Sequence, residues 1–161
     1  MNLNNIPCER GVYILVISVA SATPLTLPIG FITLEPGLYA YIGSARGFGG
    51  LRSRLKHHLA KDKKRLWWHI DYLTSKSCVE PVSVIYALTE LDLERPLAEA
   101  LGKAICWKPA AKGFGATDKK SFTHLYKCTC NASTCVNEAL ETVKNIAKNV
   151  GIAWIKPLTQ L

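Results

Sequence analysis

The hydrophobic pattern of the chain changes character about a third of the way along. Before that point apolar residues come in short dense runs. Val12 to Val19 is almost wholly apolar and rich in β-branched residues, Ile29 to Leu34 is a second run, and Leu38 to Ile42 is a third. Pro24, Pro28, Pro36 and Gly37 punctuate them. Such runs bounded by turn residues predict strands, and their close spacing predicts an antiparallel meander. Successive side chains in a strand point to opposite faces, so Tyr13, Leu15 and Ile17 share a face, and Tyr39 and Tyr41 share another. If the first and third strands are neighbours, Tyr13 and Tyr41 stand on one side of the sheet.

After Gly49-Gly50 the period becomes helical. Leu51, Leu55 and Leu59 recur every four residues and define a buried stripe. Arg54 and His58 are also four apart, so they lie on a common flank beside that stripe. Lys61 to Arg65 reads as a basic, solvated turn. Leu66 to Leu73 fits a helix through Leu66, Ile70 and Leu73, or a strand through Trp68, Ile70 and Tyr72; a short helix is the preferred reading. Pro81 to Leu88 predicts a further strand. A helix around 90–104 follows, with Pro96 in its first turn or at a kink.

The loop from Lys112 to Asp118 carries glycines that permit tight turns, and it leads into a short strand, Phe122 to Lys127. Val136, Leu140, Val143 and Ala147 then predict a helix over 136–150 with Gly151 at its C-cap. That stripe must be buried, and packing on its own sheet in a monomer is favoured over pairing two chains. The expected fold class is α/β, with a small, mainly antiparallel central sheet flanked by helices. Residues 1–127 form the domain, and 128–161 form a C-terminal helical extension packed on it.

A chain of 161 residues suits one domain with a sizeable core. The formal charge of +8 and pI near 9.3 favour a polyanionic partner. Nucleic acid is the common case, with Arg46, Arg52, Lys56, Lys61, Lys63, Lys64 and Arg65 as candidate phosphate contacts. DNA is expected, without excluding RNA. Six cysteines are few for a disulfide scaffold, and most sit among apolar residues, which suits a reducing interior. Val12 to Ala20 is too short to span a bilayer. Ala20-Ser21-Ala22 resembles a leader cleavage site, but Glu9 and Arg10 cancel in front of it and removal would cost a strand. A cytoplasmic protein without membrane contact is expected. Cys128-x-Cys130 and Cys135, with His124 nearby, offer donors for zinc or an iron–sulfur cluster, yet the spacing matches no common finger. A structural or fortuitous thiol cluster is the preferred reading.

Two phenols, a guanidinium and imidazoles brought together by a hairpin and a helix would suit phosphodiester hydrolysis. That chemistry needs a base for water, charge neutralisation at phosphorus and help for the leaving oxygen. Taken singly, each residue has an ordinary role: tyrosines pack in sheets, arginines flank helices, and histidines pack beside leucines. His69 and Asp71 read equally as a catalytic pair or as a polar network between two helices.

Jointly, Gly11-Val12-Tyr13, Tyr41-Ile42-Gly43, Arg54-x-x-x-His58 and Leu93-Glu94-x-x-Leu97-Ala98 resemble the GIY-YIG nuclease family. By that resemblance Tyr13 and Tyr41 orient and activate water, Arg54 stabilises phosphoryl charge, and Glu94 holds Mg²⁺ or Mn²⁺, with Glu99 as its rival. His58 and His69 join the candidate catalytic set. A closer resemblance is to the prokaryotic DUF123 subgroup, sometimes joined to endonuclease III-type repair glycosylases. It rests on Tyr41 to Ala45, Gly49-Gly50-Leu51, Arg54-Leu55, Trp68 to Leu73, Gly113 to Asp118 and Thr123 to Tyr126. The long Tyr13-to-Tyr41 spacing implies an extra strand between them. Asp118 stands where an asparagine could be replaced, and Lys119 and Ser121 where the subgroup often has cysteines. The resemblance implies a divalent-metal-dependent DNA endonuclease in repair or processing, with a repair glycosylase as a potential partner. The alternatives are a catalytically weak nucleic-acid-binding module and an accessory partner of a repair enzyme.

Overall fold

The computed structural model describes residues 3–117 and 120–161. In chain order its elements are β1 (Gly11–Val19), β2 (Thr23–Leu27), β3 (Gly30–Leu34), β4 (Gly37–Ala45), α1 (Gly50–Leu59), α2 (His69–Thr74) and β5 (Val79–Leu88). Then follow α3 (Glu94–Gly102), β6 (Trp107–Pro109), β7 (Leu125–Cys128), α4 (Ala132–Ile146), β8 (Val150–Trp154) and a closing 3₁₀ turn, Leu158–Gln160. Six strands form one sheet in the order β6-β7-β4-β1-β5-β8, and every neighbouring pair is antiparallel. The α/β class with a mainly antiparallel sheet is as the sequence indicated.

β1 lies near the middle of that sheet and is covered on both faces, which is why its run is apolar and not alternating. One face carries Tyr13, Leu15, Ile17, Tyr39, Tyr41 and Val84. Leu51, Leu55 and Leu59 of α1, Ile70 and Leu73 of α2, and Phe114 cover it. The opposite face carries Val12, Ile14, Val16, Ala40, Ile42 and Ile85, under Leu97 and Leu101 of α3 and Val136 and Val143 of α4.

The expected meander is corrected. β2 and β3 pair only with each other, in a separate hairpin. Its strands alternate, burying Leu25, Leu27 and Leu34 against the first core while Phe31 stays in water. Two strands, the β2–β3 hairpin, lie between the two motif tyrosines. The strand that pairs with β1 is β4, which sets Tyr13 across from Gly43 and Leu15 across from Tyr41.

Gly50 begins α1 at φ +55°, and a Cβ there would fall 2.1 Å from the Cys8 carbonyl oxygen. Only glycine lets the helix start that close to the N-terminal segment. α2 settles the ambiguous Leu66 to Leu73 stretch as a helix, starting at His69. Pro96 occupies the first turn of α3 without a kink, where the missing N–H costs nothing.

The C-terminal expectation is also corrected. α4 starts at Ala132 because the Asn131 side chain caps it, accepting from Thr134 N at 2.8 Å. It ends at Ile146, and Gly151 lies inside β8 against the Tyr86 ring, not at a helix cap. β8 pairs with β5, so residues 128–161 supply an edge strand as well as a helix. α4 buries its stripe on its own sheet.

The cysteines depart from the reducing reading. Cys106–Cys130 and Cys128–Cys135 are disulfides, and Cys8 and Cys78 are free. The bridges tie the β6–β7 edge to the start of α4. The Cys106–Cys130 bridge spans 24 residues, a closure that removes about 3 kcal/mol of unfolded-state freedom on the chain-entropy view. Reduction should therefore lower the melting temperature by on the order of 10 °C. Calorimetry with and without a dithiol tests this; an unchanged transition would show that the bridges add nothing to stability.

Candidate active site

β1 and β4 run antiparallel, so the start of one and the end of the other meet at the same rim of the sheet. A cavity of about 280 Å³ opens there, lined by Tyr13, Tyr41, Ser44, Arg46, Arg54, Trp68 and Glu94, with Gly43, Gly47 and Gly115 as backbone walls. Side chains from both faces of the sheet reach it because it lies at the rim. The phenols come from the α1 side, whereas Ser44 points to the α3 side and meets Glu94.

Tyr13 and Tyr41 lie with ring centroids 6.5 Å apart. Gly43 makes this arrangement fit, since a Cβ there would sit 2.3 Å from the Tyr13 phenolic oxygen. The Tyr13 hydroxyl is buried and has no hydrogen-bond partner among the described residues. Burial, with Tyr41 adding to it, raises its pKa well above the ordinary phenol value despite the nearby Arg54. At neutral pH Tyr13 is therefore an O–H donor and not a phenolate.

Arg54 stacks its guanidinium 4.1 Å from the centre of the Trp68 ring. Stacking holds the planar cation in one orientation while its edge faces the cavity. Glu94 is the first residue of α3 and is 8 % exposed. Its Oε2 accepts from the Ser44 hydroxyl, and Oε1 lies 3.1 Å from His124 Nδ1. The start of a helix favours a carboxylate. Glu99, the rival, instead faces solvent and pairs with Arg95 at 2.7 Å.

His58 stands behind the phenols and not on the cavity wall. Its ring is 6.2 Å from those of both Tyr13 and Tyr41 and 5.2 Å from Trp68. Nδ1 lies 2.7 Å from Asp71 Oδ1. Burial lowers the His58 pKa against the pull of Asp71, so the ring is neutral and Nδ1–H donates. The other Asp71 oxygen accepts from Trp67 N at 2.9 Å and Trp68 N at 3.1 Å, with His57 Nε2 at 3.1 Å. Burial alone would raise Asp71, but the bonds from His58 and the two N–H groups hold it at about 2.

His69 is not paired with Asp71. Its Nδ1 accepts from Gly115 N at 2.9 Å, pinning the glycine loop beside Tyr41. Asp71 joins a polar network between α1 and α2 through His57 and His58, while His69 bonds the glycine loop. His58 and His69 position other groups; neither lines the cavity. Asp118 and Lys119 lie outside the described residues.

The basic residues divide into two sets. Arg46 and Arg54 line the cavity, and Arg46 also lies 3.4 Å from Asp92. Lys56, Lys64 and Arg65 are exposed. Arg52, Lys61 and Lys63 are engaged within the fold, although Lys61, like Asp62, Lys64 and Arg65, stays exposed, so the turn itself is solvated as expected. Arg52 donates to the Ile6 and Asn4 carbonyls. Lys61 gathers the carbonyls of Thr74, Lys76 and Val79 past the end of α2, and Lys63 bonds Ala60 O and Thr74 Oγ1. A cation at a helix C-terminus is favoured by the carbonyl dipoles. Partial burial lowers both lysine pKa values.

Ser44 and Trp68 were present in the sequence only as parts of longer motifs. Ser44 follows Tyr41-Ile42-Gly43 directly and so falls on the opposite face from Tyr41, a parity that would have pointed it at α3. Cys106, Cys130 and Cys135 bring their sulfurs within 4.8 Å of one another, with Cys106 bridged to Cys130 and Cys135 bridged to Cys128, so the thiol cluster expected at Cys128, Cys130 and Cys135 is held in disulfides. Among the described residues no helix is long and apolar enough to cross a membrane.

The family described as Domain of unknown function DUF123 matches residues 12–145, from β1 into the last turn of α4. The match runs past residue 127, so α4 lies within it and does not follow it. No curated protein and no solved structure matches the chain.

The Asp71–His58 pair predicts an acid profile. Asp71 has a folded pKa of about 2, below its unfolded value, so its stabilisation is complete above about pH 4 and is lost as pH falls toward 2. His58 is also lowered, so its contribution is present above about pH 6.5 and erodes below that. Denaturant midpoints should start to fall near pH 6 and drop further between 4 and 2. Asp71→Asn should cost about 2 kcal/mol at pH 7 and flatten the lower step. An unaltered lower step in that variant would disprove the role of Asp71.

Proposed function

This chain belongs to the DUF123 family, and we propose that it is a divalent-metal-dependent endonuclease hydrolysing phosphodiester bonds in DNA, as its resemblance to GIY-YIG nucleases suggests. One observation carries the reading: Tyr13, Tyr41, Arg54 and Glu94, from β1, β4, α1 and α3, converge on one cavity. Ordinary packing accounts for any one of them. It does not account for two phenols, a guanidinium and a carboxylate sharing the same pocket.

The donor set suits a small hard cation. Glu94 offers one carboxylate, already held by the Ser44 hydroxyl, and the cavity has room for the waters that Mg²⁺ keeps. Bound at Glu94, Mg²⁺ or Mn²⁺ would neutralise charge on the phosphoryl oxygens. Arg54, locked on Trp68, places a fixed positive charge against the same group as it becomes more anionic. Tyr13, protonated and buried without a partner, donates to a substrate oxygen, which satisfies an otherwise costly group. Tyr41, beside it, holds and orients the attacking water.

Tyr41→Phe, Arg54→Ala and Glu94→Gln should each lower cleavage of plasmid DNA by roughly 100-fold or more, with circular dichroism unchanged. Undiminished cleavage in all three would sink the assignment. Wild type that binds but cleaves no duplex, branched or single-stranded DNA would instead favour a binding module.

Binding should be salt-dependent through the outward cations. Reversing the charge of Lys56, Lys64 or Arg65 should reduce the log–log salt slope by roughly 0.9 for each phosphate no longer neutralised. Lys61→Met and Lys63→Met should lower thermal stability and leave the slope nearly unchanged. Equal slopes for both groups of variants would contradict this division of the cations.

A further inference from the structure

Two large aromatic side chains beside the cavity stand in water. Phe48, in the loop between β4 and α1, is fully exposed at 105 %, and Trp67, just ahead of α2, is 63 % exposed. Between them lies a second hollow of about 140 Å³, bordered also by Trp68, His57 and Arg54. It shares Arg54, Trp68 and Gly47 with the catalytic cavity, so the two spaces adjoin across one guanidinium. Arg65 lies 5.6 Å from the Trp67 ring and adds positive charge at that edge.

Neither aromatic serves the core. Phe48 is flanked by Gly47 and by Gly49, which has φ +81°, in a loop that exposes the ring instead of folding it inward. Phe31, Phe122 and Trp154 are also exposed but do not border this hollow. Single exposed aromatics are ordinary; two facing one charged recess are not.

We propose that this hollow is a base-stacking subsite and that the substrate is an unpaired nucleotide, with its base against Phe48 and Trp67 and its phosphate at Arg54. The inference rests on the nuclease reading of the neighbouring cavity and names the substrate class for it. Bases within a duplex have both faces covered by their neighbours. Only a single-stranded or extruded nucleotide can offer a face to an aromatic ring. A protein ligand is disfavoured because the recess is lined by guanidinium and imidazole as well as by rings. A phosphate-linked base satisfies both kinds of lining at once.

The test is binding of the full chain in metal-free buffer, so that cleavage plays no part. The probes are a labelled single-stranded DNA oligonucleotide, the same backbone without bases, and the corresponding duplex. Wild type should hold the base-bearing strand at least ten times more tightly than the abasic one. Phe48→Ala and Trp67→Ala should each weaken the base-bearing strand by roughly 5- to 100-fold and leave abasic and duplex binding unchanged. Both side chains are exposed, so the fold should survive, and melting curves would verify it. Equal affinity for base-bearing and abasic strands, or equal losses on duplex, would overturn the proposal. If wild type prefers base-bearing strands but cleaves nothing with metal, the nuclease reading fails while the stacking subsite stands. Cleavage of duplex unaffected by both substitutions would have the opposite meaning.

Discussion

A single buried carboxylate organises this site. Asp71 is fully enclosed, and its two oxygens receive two backbone N–H groups at the start of α2 and lie within bonding distance of two imidazoles of α1. An ionised group in that position is tolerated only because every oxygen is bonded. The same four bonds fix the angle between the helices, place the His58 ring behind both phenols, and hold Trp67 and Trp68 in position. Trp68 then carries Arg54. The cation that faces the cavity is therefore positioned by a carboxylate it does not touch.

The second organising constraint is the meeting of two antiparallel strands at one rim. Inside the sheet, alternation would keep residues of opposite parity apart by the thickness of the backbone. Where β1 begins and β4 ends there is no further sheet to separate them, so Tyr41 and Ser44 contribute to one cavity from opposite sides. The start of α3 comes to the same rim, and its first residue, Glu94, lies against Ser44 and His124. Gly43 completes the arrangement by leaving space for the Tyr13 hydroxyl.

Charge in this protein does two kinds of work. Arg52, Lys61 and Lys63 collect carbonyl oxygens at the N-terminal segment and past α2, taking the place of backbone partners that a longer helix or a tighter turn would provide. Arg46, Arg54, Lys56, Lys64 and Arg65 lie in the cavity or at the surface. A net charge of +8 therefore overstates what is available to a polyanion. The disulfides perform a similar local task, closing the short β6–β7 edge onto α4, where Trp107 and Val136 are already buried.

By itself the sequence determined the class of fold, the buried stripes and the short list of chemical groups. Strand runs, the leucine repeat and the glycine pair are local signals, set by backbone sterics and side-chain period. It also paired Tyr13 with Tyr41 and Arg54 with His58 by parity and spacing. Tertiary structure decided which of these groups share a cavity. It excluded β2 and β3 from the sheet, moved Gly151 from a helix end into a strand, and joined four cysteines that spacing had left as thiols. It turned His58 and His69 into supports and Lys61 and Lys63 into caps. The physical reason is the same throughout. A side chain's chemistry is fixed by its type, but its role depends on which donors, acceptors and rings from distant elements surround it, and periodicity carries no record of those neighbours.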